Sequence, residues 1–134
     1  MSRRTAMAVI TILVAVLATA GSVVAYRRAA DPLPEPAAFR PGTCRSVAGA
    51  VLTLARLDRT LRDATALRAA DHRRVDGAQE ELRAAPADQA VPLRDLVTAL
   101  GYVRLRADTG TYSPAVWREA DARRRAVQRA CVRG

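Results

Sequence analysis

Residues 6–26 carry no charged side chain, with Arg3 and Arg4 before them and Arg27 and Arg28 after. As a helix, a run of this length spans about 30 Å, the thickness of a bilayer's hydrocarbon core. It is apolar on every side, unlike a surface helix that turns one stripe to a core. Residues 5–26 are therefore expected to form a transmembrane signal anchor, with residues 1–4 in the cytoplasm. A cleaved signal peptide is the alternative: Ala18-Thr19-Ala20 has the small-x-small form that signal peptidase accepts. The apolar stretch continues through Val23, Val24 and Ala25 as far as Arg27, which favours the anchor. Ser2-Arg3-Arg4 has the paired arginines of a twin-arginine signal, but Thr5, Ala6 and Met7 do not supply the large hydrophobic pair usually found next.

Two arginines flank each end, so the positive-inside count is tied. The cysteines break the tie. Cys44 and Cys131 are the only two, and both follow the anchor. An even pair in a small exported domain reads as a disulfide, whereas cytosolic thiols stay reduced. The expected localisation is the cell membrane, single-pass, with residues 44–134 outside as a helical domain; cleavage would make the protein secreted. Between anchor and domain, residues 27–43 read as a Pro-rich linker, because Pro32, Pro34, Pro36 and Pro41 each disfavour helix at the preceding residue. Such a segment is a semi-rigid stalk of about 3 Å per residue, or a ligand for a proline-binding module.

Composition selects helices for the domain. Half the chain is hydrophobic, but aromatics make up only 4%, so Leu, Val and Ala must build the core. Ala and Arg are strong helix formers, and the sparse Ile and aromatics argue against an all-β fold. The sequence has no Lys and no Asn; all 22 basic residues are Arg. That bias has the look of GC-rich coding, so the net charge of +9 says less about partners than its size suggests.

Four amphipathic segments follow. In the first, Val47, Ala50, Val51, Leu54, Leu57, Leu61 and Ala64 recur at three- and four-residue steps, with Thr43 as the expected N-cap. The pattern decays after Leu67, and the crowded Asp71, His72, Arg73, Arg74, Asp76 and Gly77 predict a turn. A weaker helix then carries Val75, Ala78 and Leu82 towards Pro86. The third carries Leu93, Leu96, Val97, Leu100, Val103 and Ala107, with Asp88 as expected N-cap and Asp108-Thr109-Gly110 as its end. The fourth opens with Ser113 as N-cap and Pro114 at the first helical position. Val116, Ala120, Val127 and Cys131 share its inner face, with Trp117 at the edge. Leu52, Leu67 and Tyr102 fall off the main apolar faces.

The fold class expected is thus all-α: an N-terminal transmembrane or signal helix, a Pro-rich linker, and a small antiparallel bundle of about four helices closed by a disulfide. Cys44 opens the first helix and Cys131 closes the last, and in an antiparallel bundle those ends meet only if the number of helices is even. One unbroken helix over residues 44–85 would leave the sulfurs tens of ångströms apart.

Little in the sequence carries chemistry. His72 is the only histidine, and both cysteines are better used as a bridge. His72, Asp76 and Glu80 stand at i, i+4 and i+8, but nothing completes a ligand set. Gly-rich phosphate loops, Cys-x-x-Cys and His-Glu-x-x-His are missing from the sequence. No catalysis, cofactor or metal is expected. The remaining signal is charge. Asp58–Arg62, Glu119–Arg123 and Asp121–Arg125 are acid-before-base pairs at i, i+4, the usual dress of a solvated helix. Arg118, Arg125, Arg129 and Arg133 fall within about 80° on the wheel of the last helix, opposite its apolar face. They read either as solvated surface or as a stripe for an anionic lipid, an acidic polymer or another envelope protein. Nucleic acid is disfavoured for lack of an aromatic platform.

In layout the chain resembles the small actinobacterial membrane-anchored or secreted helical proteins of unknown function: membrane segment, Pro-rich stalk, Cys-bracketed helical domain. The resemblance implies an envelope protein with an extracytoplasmic interaction domain. It is more loosely similar to mycobacterial haemophore-type helical proteins, which would make it a secreted haem binder with His72, Tyr102 or Tyr112 as the available axial ligands. Exported helical chorismate mutases are also loosely similar in layout, but the active-site Lys expected of them is missing here.

Overall fold

A computed structural model describes residues 32–133. The membrane segment expected at residues 5–26 lies outside the described residues. A 3-10 turn at Pro36–Ala38 leads into four helices: α1 (Thr43–Leu61), α2 (Ala69–Ala84), α3 (Leu93–Asp108) and α4 (Pro114–Cys131). Among the described residues there is no strand, and no helix is long and apolar enough to cross a membrane. Each helix packs on two neighbours in a closed ring, α1–α2–α3–α4 and back to α1, while the diagonal pairs keep their backbones apart. The domain is therefore an antiparallel four-helix bundle. Cys44 and Cys131 are joined, their Cα atoms 5.2 Å apart, as an even helix count requires.

α1 is the spine of the core. It buries Val47, Ala48, Val51, Leu54, Leu57 and Leu61, and Leu52 with them. Leu52 was expected off the apolar face, but α1 meets both α2 and α4, so its buried arc is wider than one stripe. Leu67 packs at the core's margin, whereas Tyr102 is 58% exposed. Trp117, expected at an edge, is 1% exposed.

The turn expected near Asp71 to Gly77 is not there; the chain reverses in residues 62–68, and Asp71 and Gly77 lie within α2. The charge crowding is compensated locally. Asp71 sits in the first turn of α2, where a carboxylate suits the helix dipole, with Arg68 at 3.4 Å and Arg74 at 3.3 Å. Asp71, Val75, Ala78 and Leu82 then form the inner face, one acid counted among its core positions.

Two caps also differ from expectation. Gly42, at φ +86°, precedes α1, and Thr43 is its first residue, sending its hydroxyl to Pro86 O at 2.9 Å to tie the start of α1 to the end of α2. Asp88 caps a turn rather than α3, accepting the Ala90 N–H at 2.9 Å; α3 begins after Pro92. Its end is as expected. Gly110, at φ +69°, donates to Ala107 O while Thr111 donates to Arg106 O, the paired bonds of a Schellman motif. Ser113 and Pro114 start α4.

The Pro-rich segment does not stand clear of the bundle throughout. Phe39 is 1% exposed and bridges Val132; Arg40 N–H donates to Cys131 O and Arg133 N–H to Ala38 O. Arg45 fastens the segment from α1 by donating to Phe39 O at 2.9 Å. The compact unit accordingly starts at Leu33. Proline spacing foretells an extended backbone, and an extended backbone can lie on a bundle as readily as bridge to one.

Candidate functional site

Two carboxylates are buried where α1 meets α4. Asp58 occupies a core-facing position on α1 between Leu54 and Leu61, and Asp121 lies in the first half of α4; they are 6% and 5% exposed. Burial of an ionised carboxylate requires charged or hydrogen-bonding partners, and both have them. Asp58 Oδ1 accepts the Trp117 indole N–H at 2.9 Å, and Oδ2 pairs with Arg62 one turn on. Asp121 Oδ1 accepts a hydrogen bond from Arg124 Nε at 2.6 Å, and Oδ2 forms an ion pair with Arg125, its Nε 2.8 Å away. The Asp58 carboxylate, by hydrogen bond and then by charge, raises the Arg62 pKa above its ordinary value.

Beside these carboxylates a cleft of about 410 Å³ opens between α1 and α4. Arg62 borders it from α1, and Arg118, Arg125 and Arg129 from α4; Asp58, Asp121 and Ala122 complete the lining. Four guanidinium groups meet two carboxylates, so the cleft carries excess positive charge, with the arginines exposed at its rim and the carboxylates buried beneath them. Among the described residues, Arg118 and Arg129 have no ion-pair partner.

Three of the four arginines expected on the basic stripe are thus brought together. Arg133 is not: α4 ends at Cys131, and Arg133 lies in the extended stretch that pairs with Ala38. Arg62, Asp58, Asp121 and Trp117 were not foreseen in this role. The spacing of Asp58–Arg62 and Asp121–Arg125 marked them as pairs, but both acids are buried, so these are not ordinary surface pairs. Glu119–Arg123 is one, at 2.8 Å with both side chains about half exposed or more. An acid in line with Leu54 and Leu61 on an otherwise apolar stripe was the available clue.

His72, Asp76 and Glu80 do not converge. His72 Nδ1 lies 3.2 Å from Asp76 and Nε2 3.1 Å from Asp108 of α3, while Glu80 pairs with Arg83. Arg104 Nε stands 2.5 Å from Asp76, and Arg104 Nη1 donates to the buried Gln79 at 2.7 Å, so the whole cluster joins α2 to α3. To ligate a haem iron, His72 would have to leave a carboxylate. Among the described residues, no group of three His, Cys, Asp or Glu side chains is arranged to hold a metal ion. Compared with family models, curated proteins and solved structures, the chain matches none.

Proposed function

We propose that this chain is a membrane-anchored envelope protein whose extracytoplasmic helical domain is an interaction module without catalysis, and that the module's ligand is anionic and seats in the α1–α4 cleft. The membrane placement rests on residues 5–26 and on the Cys44–Cys131 pair. The ligand class rests on one observation: Arg62, Arg118, Arg125 and Arg129 converge on a single cleft. Buried carboxylates hold Arg62 and Arg125 by part of each guanidinium, which leaves other N–H donors for a ligand. Cations ordered in advance lose less side-chain entropy when they bind. His72, the one imidazole of the chain, sits on α2 with its ring between Asp76 and Asp108 and does not line the cleft, so it offers the cleft no general base.

Retention of the full-length chain on phosphocellulose in neutral detergent tests the ligand class. Changing Arg62, Arg118, Arg125 and Arg129 together to Gln should abolish retention at low salt. Changing the exposed Arg56, Arg59, Arg94 and Arg106 to Gln alters net charge equally and should leave most of it. Equal losses in the two variants overturn the reading. For the placement, a C-terminal tag should be digested by protease added to intact spheroplasts; a protected tag overturns it.

A further inference from the structure

We infer that the ligand of this cleft is a linear polyanion without aromatic groups, laid lengthwise along α4, an inference that rests on the anion-binding reading above. Arg118, Ala122, Arg125 and Arg129 stand at i, i+4, i+7 and i+11, so they form one stripe along the cleft side of α4. At 1.5 Å per residue the outer two are about 16 Å apart along the axis. Arg62 faces the stripe from α1. A lone phosphate reaches one or two of these groups; only successive anionic groups on one chain can engage Arg118, Arg125 and Arg129 together. Ala122 is exposed at the middle of the row and keeps the helix surface low where such a chain crosses. Asp58 and Asp121 lie deeper than the arginines and repel an anion that presses inward, which suits a ligand running along the rim.

A bilayer fits less well. Helices that lie on membranes set apolar side chains beside their cations, but the large exposed hydrophobics, Tyr102 and Leu105, belong to α3 and do not line the cleft. A single-stranded nucleic acid would want an aromatic surface for its bases, and Trp117 is buried with its N–H committed to Asp58.

Trp117 is the chain's one tryptophan and touches a residue of the cleft, so its emission reports occupancy. Full-length protein in neutral detergent is titrated with inorganic phosphate, with polyphosphates of graded length, and with mixed micelles containing phosphatidylglycerol. Affinity per phosphate should rise at least tenfold with polyphosphate length and level off once the chain spans Arg118 to Arg129. The slope of log affinity against log salt should become shallower for each of Arg118→Gln and Arg129→Gln, by an amount on the order of the 0.7 per contact found for single-stranded nucleic acids. Ala122→Glu, at an exposed helical position, should abolish binding of the long chains while helix content is unchanged. Inorganic phosphate binding as tightly per phosphate as the longest chain overturns the polymer, and so do phosphatidylglycerol micelles that outcompete it; both outcomes leave the anion-binding reading standing. Failure of every probe, together with equal phosphocellulose losses in the two four-arginine variants, removes both.

Discussion

Trp117 of α4 donates its indole N–H to Asp58 of α1 across 2.9 Å, and both residues are buried. This bond lies towards the end of α1 and the start of α4; the Cys44–Cys131 bridge lies at the opposite ends of the same two helices. α1 and α4 are also the one neighbouring pair in the ring that no short loop connects. The helix pair that the chain itself leaves unlinked is therefore fastened at both ends, by a covalent bond and by a buried polar contact, with the arginine cleft beside it.

Asp58→Ala should strand the indole N–H and release Arg62 at once. A buried donor left without a partner costs about 1–3 kcal/mol. Asp58→Asn keeps an acceptor for Trp117 and should cost less. Denaturant unfolding measures both, and equal losses for the two variants would show that the indole bond contributes nothing.

The bridge closes a loop of 87 residues, for which chain entropy allows up to about 4.6 kcal/mol. Oxidised protein should show no titratable thiol in denaturant, and reduction should lower its melting temperature clearly. For a domain of this size, stability lost on that scale is a large share of the total.

Phe39→Ala should destabilise the domain by about 3–5 kcal/mol, the usual cost of removing a buried aromatic side chain. Glu35→Ala, at an exposed position of the same segment, should be nearly neutral. If the two variants melt together, residues 33–42 are only a spacer.

Periodicity and punctuation made the helices legible: Ser113-Pro114 and Asp108-Thr109-Gly110 mark boundaries that backbone chemistry enforces. Polar residues in core-facing positions were less readable. Asp58, Asp71 and Asp121 are charged, so a hydrophobic pattern scores them as surface, and only the placement of Trp117, Arg68, Arg74, Arg124 and Arg125 in space makes their burial tolerable. For the same reason the charges crowded from Asp71 to Gly77 read as a turn in the sequence, although they lie within α2. Of the site, the α4 half could be read from a wheel because it lies on one helix. Arg62 enters from α1, and no one-helix pattern can show a convergence made by two.

Tyr112 gives the domain a specific alkaline response. Its hydroxyl donates to Leu61 O at 3.3 Å, and burial first, then the charge of Asp71, raises its pKa from 10.0 to about 12. The folded domain therefore keeps this proton at pH values where the unfolded chain gives it up. The resulting contribution to stability is complete below about pH 10 and is lost as pH rises towards 12. Tyr112→Phe removes the hydrogen bond, at a net cost of about 0.5–1.5 kcal/mol near neutrality, but removes the ionisation as well. Native protein should thus be the more stable at pH 8, and its advantage over the variant should shrink between pH 10 and pH 12. Phenolate absorbance of the native protein minus that of the variant should rise with a midpoint near 12. A stability gap that stays constant across that range would mean the Tyr112 hydroxyl is solvated in the folded domain.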